Sequence, residues 1–146
     1  MTISDLDQIN ADLMGGNARN AFGRNVQPGD ELTGEIIAAV RRQRRNSEGQ
    51  PLFWVNRKPT PAVDGQPVID SILIVDTGIR ADEEDEGMRS LYMDRDVQRA
   101  LFAAIRQSGA EGIKIGARIE GFVYVGPAEV GVGRVYSGGT YLPPTV

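Results

Sequence analysis

Six of the sixteen basic residues lie between Arg41 and Lys58: Arg41, Arg42, Arg44 and Arg45, then Arg57 and Lys58. The only tryptophan, Trp54, sits among them beside Phe53. Cations neutralise phosphates and release counterions, and flat side chains stack on bases without reading sequence. Their interleaving points to a surface for a polyanion, with single-stranded nucleic acid as the ligand that uses both features. The competing reading is a solvated basic loop with Trp54 turned into the core.

Other chemistries are narrowed by what is absent. The chain has neither Cys nor His. Disulfides, thiolate metal sites, Cys nucleophiles and the commonest general base are therefore excluded. No enzymatic activity, cofactor or metal is expected. An enzyme would have to work with carboxylates, Lys, Tyr or Ser, and the catalytic reading carried forward is a divalent-metal nuclease using Asp82, Asp85 and Asp94. Five consecutive acids, Asp82 to Glu86, lack the alternation and central glycine of a calcium loop. They read as a self-repelling, solvated loop, or as an internal competitor for a basic groove. The net charge of −4 opposes attraction of a polyanion to the whole surface. It leaves room for a local basic face, because salt confines each field to about 10 Å.

The elements that would position these residues follow from periodicity. Leu6, Ile9 and Leu13 after a Ser4 cap predict a short helix over 4–14, followed by a polar stretch to Pro28 in which Phe22 is the lone apolar anchor. Residues 31–42 alternate as a strand, and Gly34 within it suggests a bulge or sharp bend. Residues 44–50 read as a turn, 51–56 as a short aromatic strand, and 57–65 as a proline-rich loop. Strands are expected at 68–77 and 89–93. Asp94 caps a helix over 95–108, with Val97, Leu101, Ala104 and Ile105 as its apolar stripe and Gly109 as its stop. Strands at 118–125 and 133–142 complete the chain. Gly15-Gly16 and Gly138-Gly139 match no phosphate-binding fingerprint and read as turns.

At 146 residues the chain reads as an N-terminal arm over 1–28 and one domain over 29–146. Taking 51–56 and 68–77 as one long bent strand, the order is three strands, a helix, then two strands. That is the order of the OB-fold, a five-stranded Greek-key barrel that binds oligonucleotides along strands 2 and 3 and the adjoining loops. The fold class expected is mainly β, with one helix between strands 3 and 4. Arg41 to Arg45 then fall at the loop joining strands 1 and 2, and Phe53 and Trp54 open strand 2. Strict alternation places Phe122 and Tyr124 on one face with Arg118 and Glu120, opposite Ile119, Val123 and Val125. That makes the two aromatics a second candidate wall, or a surface covered by the arm. Tyr92 is a further stacking candidate; Tyr136 and Tyr141 are weaker ones.

Along most of its length the chain resembles a group of small OB-fold single-stranded-DNA-binding proteins of bacteriophages with actinobacterial hosts. The resemblance is carried by the order of several short features. They are Leu13-Met14-Gly15-Gly16 before a Phe, Gly29-Asp30 with Thr33-Gly34, and Trp54 before Gly65-Gln66-Pro67. Gly87-Met88-Arg89 with Leu91-Tyr92, Ser108-Gly109-Ala110, Gly116, and Tyr136 with Tyr141-Leu142-Pro143-Pro144 follow. It implies single-stranded DNA binding in phage replication or recombination, in the host cytoplasm. It brings no catalytic residues. The end, Leu142-Pro143-Pro144-Thr145-Val146, carries no acids, unlike the acidic tails through which familiar single-strand binders recruit partners.

The expected binding set is Arg41, Arg42, Arg44, Arg45, Phe53, Trp54, Arg57, Lys58, Tyr92, Phe122 and Tyr124. Single-stranded DNA is the expected partner. Replication or recombination proteins and a homo-oligomer stay open, as does a protein-interaction module built on a small β-barrel. No run reaches the roughly 18 apolar residues of a membrane span, and the acidic 1–13 segment lacks the apolar run of a signal peptide.

Overall fold

The computed structural model describes residues 18–145. Two compact units emerge among the described residues: unit 1 comprises residues 18–40 and 72–145, and unit 2 is the segment Arg41–Ser71 between those two stretches in sequence. The strands are β1 (Arg19–Asn20), β2 (Glu31–Gln43), β3 (Leu52–Val55), β4 (Lys58–Pro61), β5 (Ile69–Asp76), β6 (Met88–Tyr92), β7 (Arg118–Pro127), β8 (Arg134–Ser137) and β9 (Thr140–Leu142). Among the described residues one helix, α1 (Arg95–Ser108), falls between β6 and β7. The predicted helix over 4–14 lies outside the described residues.

Unit 1 is built on a curled sheet, a half-barrel, in the order β1-β6-β5-β2-β7-β8, with β9 also paired to β7. Alternation in β2 sends Leu32, Ile36, Ala38 and Val40 inward. Ile72 to Val75 of β5 are buried on both faces, the continuous apolar run expected of a strand covered on two sides. Gly34 marks a close approach: a Cβ there would fall 2.3 Å from the Asp76 carbonyl oxygen. The bulge that Gly34 suggested is nearby, but its extra residue is on β7.

Helix α1 lays Val97, Ala100, Leu101, Ala104 and Ile105 on a core that includes Leu32, Ile36, Leu73, Val75, Leu91, Ile119 and Phe122. Its ends are those expected. Asp94 Oδ1 accepts from the Val97 amide at 2.9 Å, and Gly109, at φ 82°, closes the last turn. The last predicted strand is divided into β8 and β9 at Gly138-Gly139, two positions that require glycine because Cβ atoms there would strike the carbonyls of Ala100 and Glu120. Tyr141 is a core residue whose hydroxyl donates to the Gly112 carbonyl and accepts from the Lys114 amide.

Residues 18–23, within the segment expected as an arm, join the sheet of unit 1. β1 pairs in parallel with β6, and the Ala21 amide continues the ladder to the Ser90 carbonyl at 2.9 Å. Phe22 anchors this segment as expected, with its ring 5.7 Å from Phe122 and 5.2 Å from Tyr136.

Unit 2 contains a hairpin absent from the sequence reading. β3 and β4 pair antiparallel, Leu52 with Pro61 through Val55 with Lys58, and form their own two-stranded sheet. The proline-rich segment is thus partly a strand, and 51–56 and 68–77 are separate strands rather than one bent strand. The turn residues Asn56 and Arg57 have φ of 52° and 65°, the left-handed pair of a type I′ turn. The 46–50 turn is closed by Asn46, whose Oδ1 accepts from the amides of Glu48 and Gln50.

A candidate nucleic-acid interface

Of the eleven expected binding residues, eight lie in unit 2. Arg41, Arg42, Arg44, Arg45, Arg57, Lys58 and Trp54 are exposed, and Phe53 is half-buried. Trp54 retains 44% of its surface, so the reading that buried it in the core is corrected. Six cations against Glu48, Asp64 and Asp70 give unit 2 a net charge of +3, whereas the rest of the chain carries −7.

The cations are not equally available. Arg44 is engaged with Asp70: Nη2 donates at 2.7 Å and Nε at 3.2 Å, and this hydrogen bonding raises its pKa. Arg45 Nη1 donates to the Gly49 carbonyl at 2.7 Å. Among the described residues, Arg41, Arg42, Arg57 and Lys58 enter no ion pair, leaving their charge to meet a ligand. On the hairpin, cross-strand register puts Trp54 beside Pro59 and Val55 beside Lys58, so Trp54 and Lys58 stand on opposite faces next to the tip. Phe53 shares the Lys58 face and packs near Gly65.

Tyr92 belongs to unit 1 and is exposed at the end of β6. Phe122 and Tyr124 do not form an exposed wall. They are 0% and 7% exposed, and both point into the core. The reason is a bulge. Leu32 pairs with Phe122 and Gly34 with Ile119, so Glu120 and Gly121 together oppose Thr33. Gly121 takes φ 70°, and its amide donates to Thr33 Oγ1 at 2.9 Å. The extra residue shifts the alternation by one, placing Phe122 and Tyr124 on the same side as Ile119. Rings of Phe22, Phe122, Tyr136 and Tyr124 then form a chain with centroids 5.2–5.7 Å apart.

The acidic run is also less solvated than its composition implies. Asp85 is buried and receives both Arg89 terminal nitrogens, at 2.8 and 2.7 Å, and the amides of Ala81 and Gly87. Its carboxyl is held well below the usual carboxylate range, first by Arg89 and then by the two amides. Arg19 pairs with Asp82 at 2.9 Å. All three members of the nuclease reading are thereby engaged: Asp82 by Arg19, Asp85 by Arg89, and one oxygen of Asp94 by the helix cap. Among the described residues, no group of three or more carboxylates gathers where it would hold a metal ion.

Sequence reasoning did not bring together the residues around a concavity in unit 1. Phe22, Arg24, Tyr92, Asp94, Arg134 and Tyr136 line a cavity of about 280 Å³. Phe22, Tyr92 and Tyr136 carried signal only as isolated aromatics, and Asp94 only as a helix cap and nuclease candidate. Arg134 is drawn in by the β7–β8 hairpin, which no local pattern announces.

No family model, curated protein or solved structure matches this chain. No helix among the described residues is long and apolar enough to cross a membrane.

Proposed function

We propose that this protein binds single-stranded DNA with little sequence preference, as a non-enzymatic factor in phage DNA replication or recombination. The observation that carries the reading is the β3–β4 hairpin. An exposed tryptophan lies on one face of the hairpin, one cross-strand pair from the tip that carries Arg57 and Lys58, in a unit whose net charge is +3 in an otherwise acidic chain. Arg41, Arg42, Arg57 and Lys58 neutralise phosphates, with Arg45 in support, and Trp54 and Phe53 supply stacking surfaces.

The strand order supports an OB-fold for unit 1. β2, β5, β6, β7 and the divided β8/β9 supply five strands, and α1 falls between the third and fourth. On that assignment unit 2 is an enlarged connection between strands 1 and 2, a loop that OB-folds use for oligonucleotides. Titration with oligo-dT, duplex DNA and RNA at two salt concentrations tests the function. Trp54 fluorescence is expected to be quenched by oligo-dT at low salt and to recover as salt rises. Absence of salt-sensitive oligo-dT binding would remove the proposal.

A second reading, a protein-interaction module, draws on the turn between β7 and β8, where Val130 and Val132 are almost wholly exposed. Gel filtration with and without DNA distinguishes it. Self-association that is independent of DNA and abolished by Val130→Ser/Val132→Ser favours this reading.

A further inference from the structure

The half-barrel of unit 1 has a seam. On one side is β6, to which β1 is paired; on the other is β8. Arg134 of β8 crosses to the chain following β1, donating Nη1 to the Phe22 carbonyl and Nη2 to the Gly23 carbonyl, each at 3.1 Å. Its guanidinium also lies 5.7 Å from the centroid of the Tyr124 ring. The seam is therefore held by a buttressed arginine and by Phe22 in the aromatic chain, rather than by a continuous strand ladder.

The cavity noted above opens at this seam, and its lining is chemically mixed. Leu91 and Val97 are buried and give it an apolar floor. Tyr92 presents an exposed ring, and Phe22 and Tyr136 are half-buried. Arg24 is exposed and makes no ion pair or hydrogen bond among the described residues. Asp94 uses Oδ1 on the Val97 amide, and Oδ2 accepts nothing among the described residues. A volume of about 280 Å³ is just below the roughly 300–1,000 Å³ of drug-sized ligand sites. It suits one small planar group with its substituent.

Flat apolar walls, one free cation and one spare carboxylate oxygen match the three parts of a nucleotide: a base to stack, a phosphate to neutralise and an amino edge to hydrogen-bond. An anion alone leaves the aromatic walls unused and meets Asp94 unfavourably. We propose that the seam cavity binds a single nucleotide, with its base against Tyr92, its phosphate at Arg24 and an exocyclic amino group toward Asp94. This goes beyond the unit 2 surface, and rests on the proposed function only for the polymer that would supply the nucleotide.

Amide NMR shifts during titration with dAMP test it, with inorganic phosphate as the control. The expected result is saturable shifts centred on Arg24, Tyr92 and Arg134. Affinity should fall roughly tenfold in Tyr92→Ala and recover in Tyr92→Phe, since one stacked base contributes about 1–3 kcal/mol. Arg24→Glu, a change at an exposed side chain, should weaken dAMP binding with thermal stability unchanged. Absence of seam shifts, equal shifts with phosphate alone, or indifference to both substitutions would overturn the proposal. Arg57→Glu/Lys58→Glu separates the two sites: it should abolish the Trp54 response to oligo-dT and leave dAMP binding intact. A normal Trp54 response with no dAMP shifts sinks the seam site alone; the reverse sinks the unit 2 surface alone.

Discussion

Arg89 grips the Asp85 carboxylate with two parallel hydrogen bonds, Nη1 to Oδ1 at 2.8 Å and Nη2 to Oδ2 at 2.7 Å. The same oxygens accept the amides of Gly87 and Ala81, so one buried carboxylate organises both ends of the 81–87 loop. The folded-state pKa of Asp85 is depressed below its unfolded value of about 3.9. The unfolded state therefore takes up the proton first as pH falls. Asp85 contributes its full stabilisation above about pH 4 and loses it progressively below. Urea midpoints measured from pH 7 to pH 3 should fall toward acid, and the fall should be shallower in Asp85→Asn, which starts from a lower midpoint at pH 7. Parallel pH profiles for the two proteins would show that this carboxylate does not drive acid sensitivity.

The left-handed Gly121 sets which side chains of β7 enter the core. No heavy atom of a neighbouring residue lies within 4 Å of a Cβ added there, so Gly121→Ala is penalised by backbone strain alone. The expected loss is about 1–2 kcal/mol, read as a lower urea midpoint, with a smaller loss in Gly121→Asn. Gly139→Ala should cost more, because it combines φ 63° with a Cβ 2.1 Å from the Glu120 carbonyl oxygen. Equal effects at the two positions would contradict this ordering.

These two sites also show where local pattern stops informing. β2 and α1 were legible because alternation in the one, and an Asp94 cap, a 3.6-residue stripe and a Gly109 stop in the other, are encoded within a few residues. Phe122 and Tyr124 were placed on the wrong face because a bulge shifts the phase, and that bulge depends on Thr33, 88 positions from Gly121. The β3–β4 hairpin was hidden because Asn56-Arg57 lacks the glycine that usually announces a type I′ turn. The basic stretch was legible as charge and as exposed cations. Its partition was not: Asp70, which occupies Arg44, is 26 residues away.

Salt dependence separates the available cations from the occupied one. With Arg44 held by Asp70, at most five cations of the 41–58 stretch meet phosphates. The slope of log affinity against log salt for oligo-dT should then be no steeper than about −3.5, taking roughly 0.7 per phosphate on a single strand. Arg57→Ala/Lys58→Ala should reduce its magnitude by about 1.4, whereas Arg44→Ala should change it little. Trp54→Ala should weaken binding at every salt concentration without altering the slope, because stacking releases no counterions. A changed slope in Trp54→Ala would count against its role as a stacking surface.

Arg57 poses the sharpest test, because stability and function pull it in opposite directions. At φ 65° a residue with a Cβ is strained by about 1–2 kcal/mol, and glycine in the same place is not. Arg57→Gly relieves that strain while making the unfolded chain more flexible, which offsets part of the gain. The net expectation is a stabilisation of up to about 1 kcal/mol, read as a raised urea midpoint. The same substitution removes a cation from the hairpin tip, so oligo-dT affinity should fall and the salt slope should flatten by about 0.7. A variant more stable than the parent yet weaker on DNA is the outcome expected if the strained tip holds its cation for a ligand. Greater stability with undiminished, equally salt-sensitive binding would assign Arg57 to the turn alone.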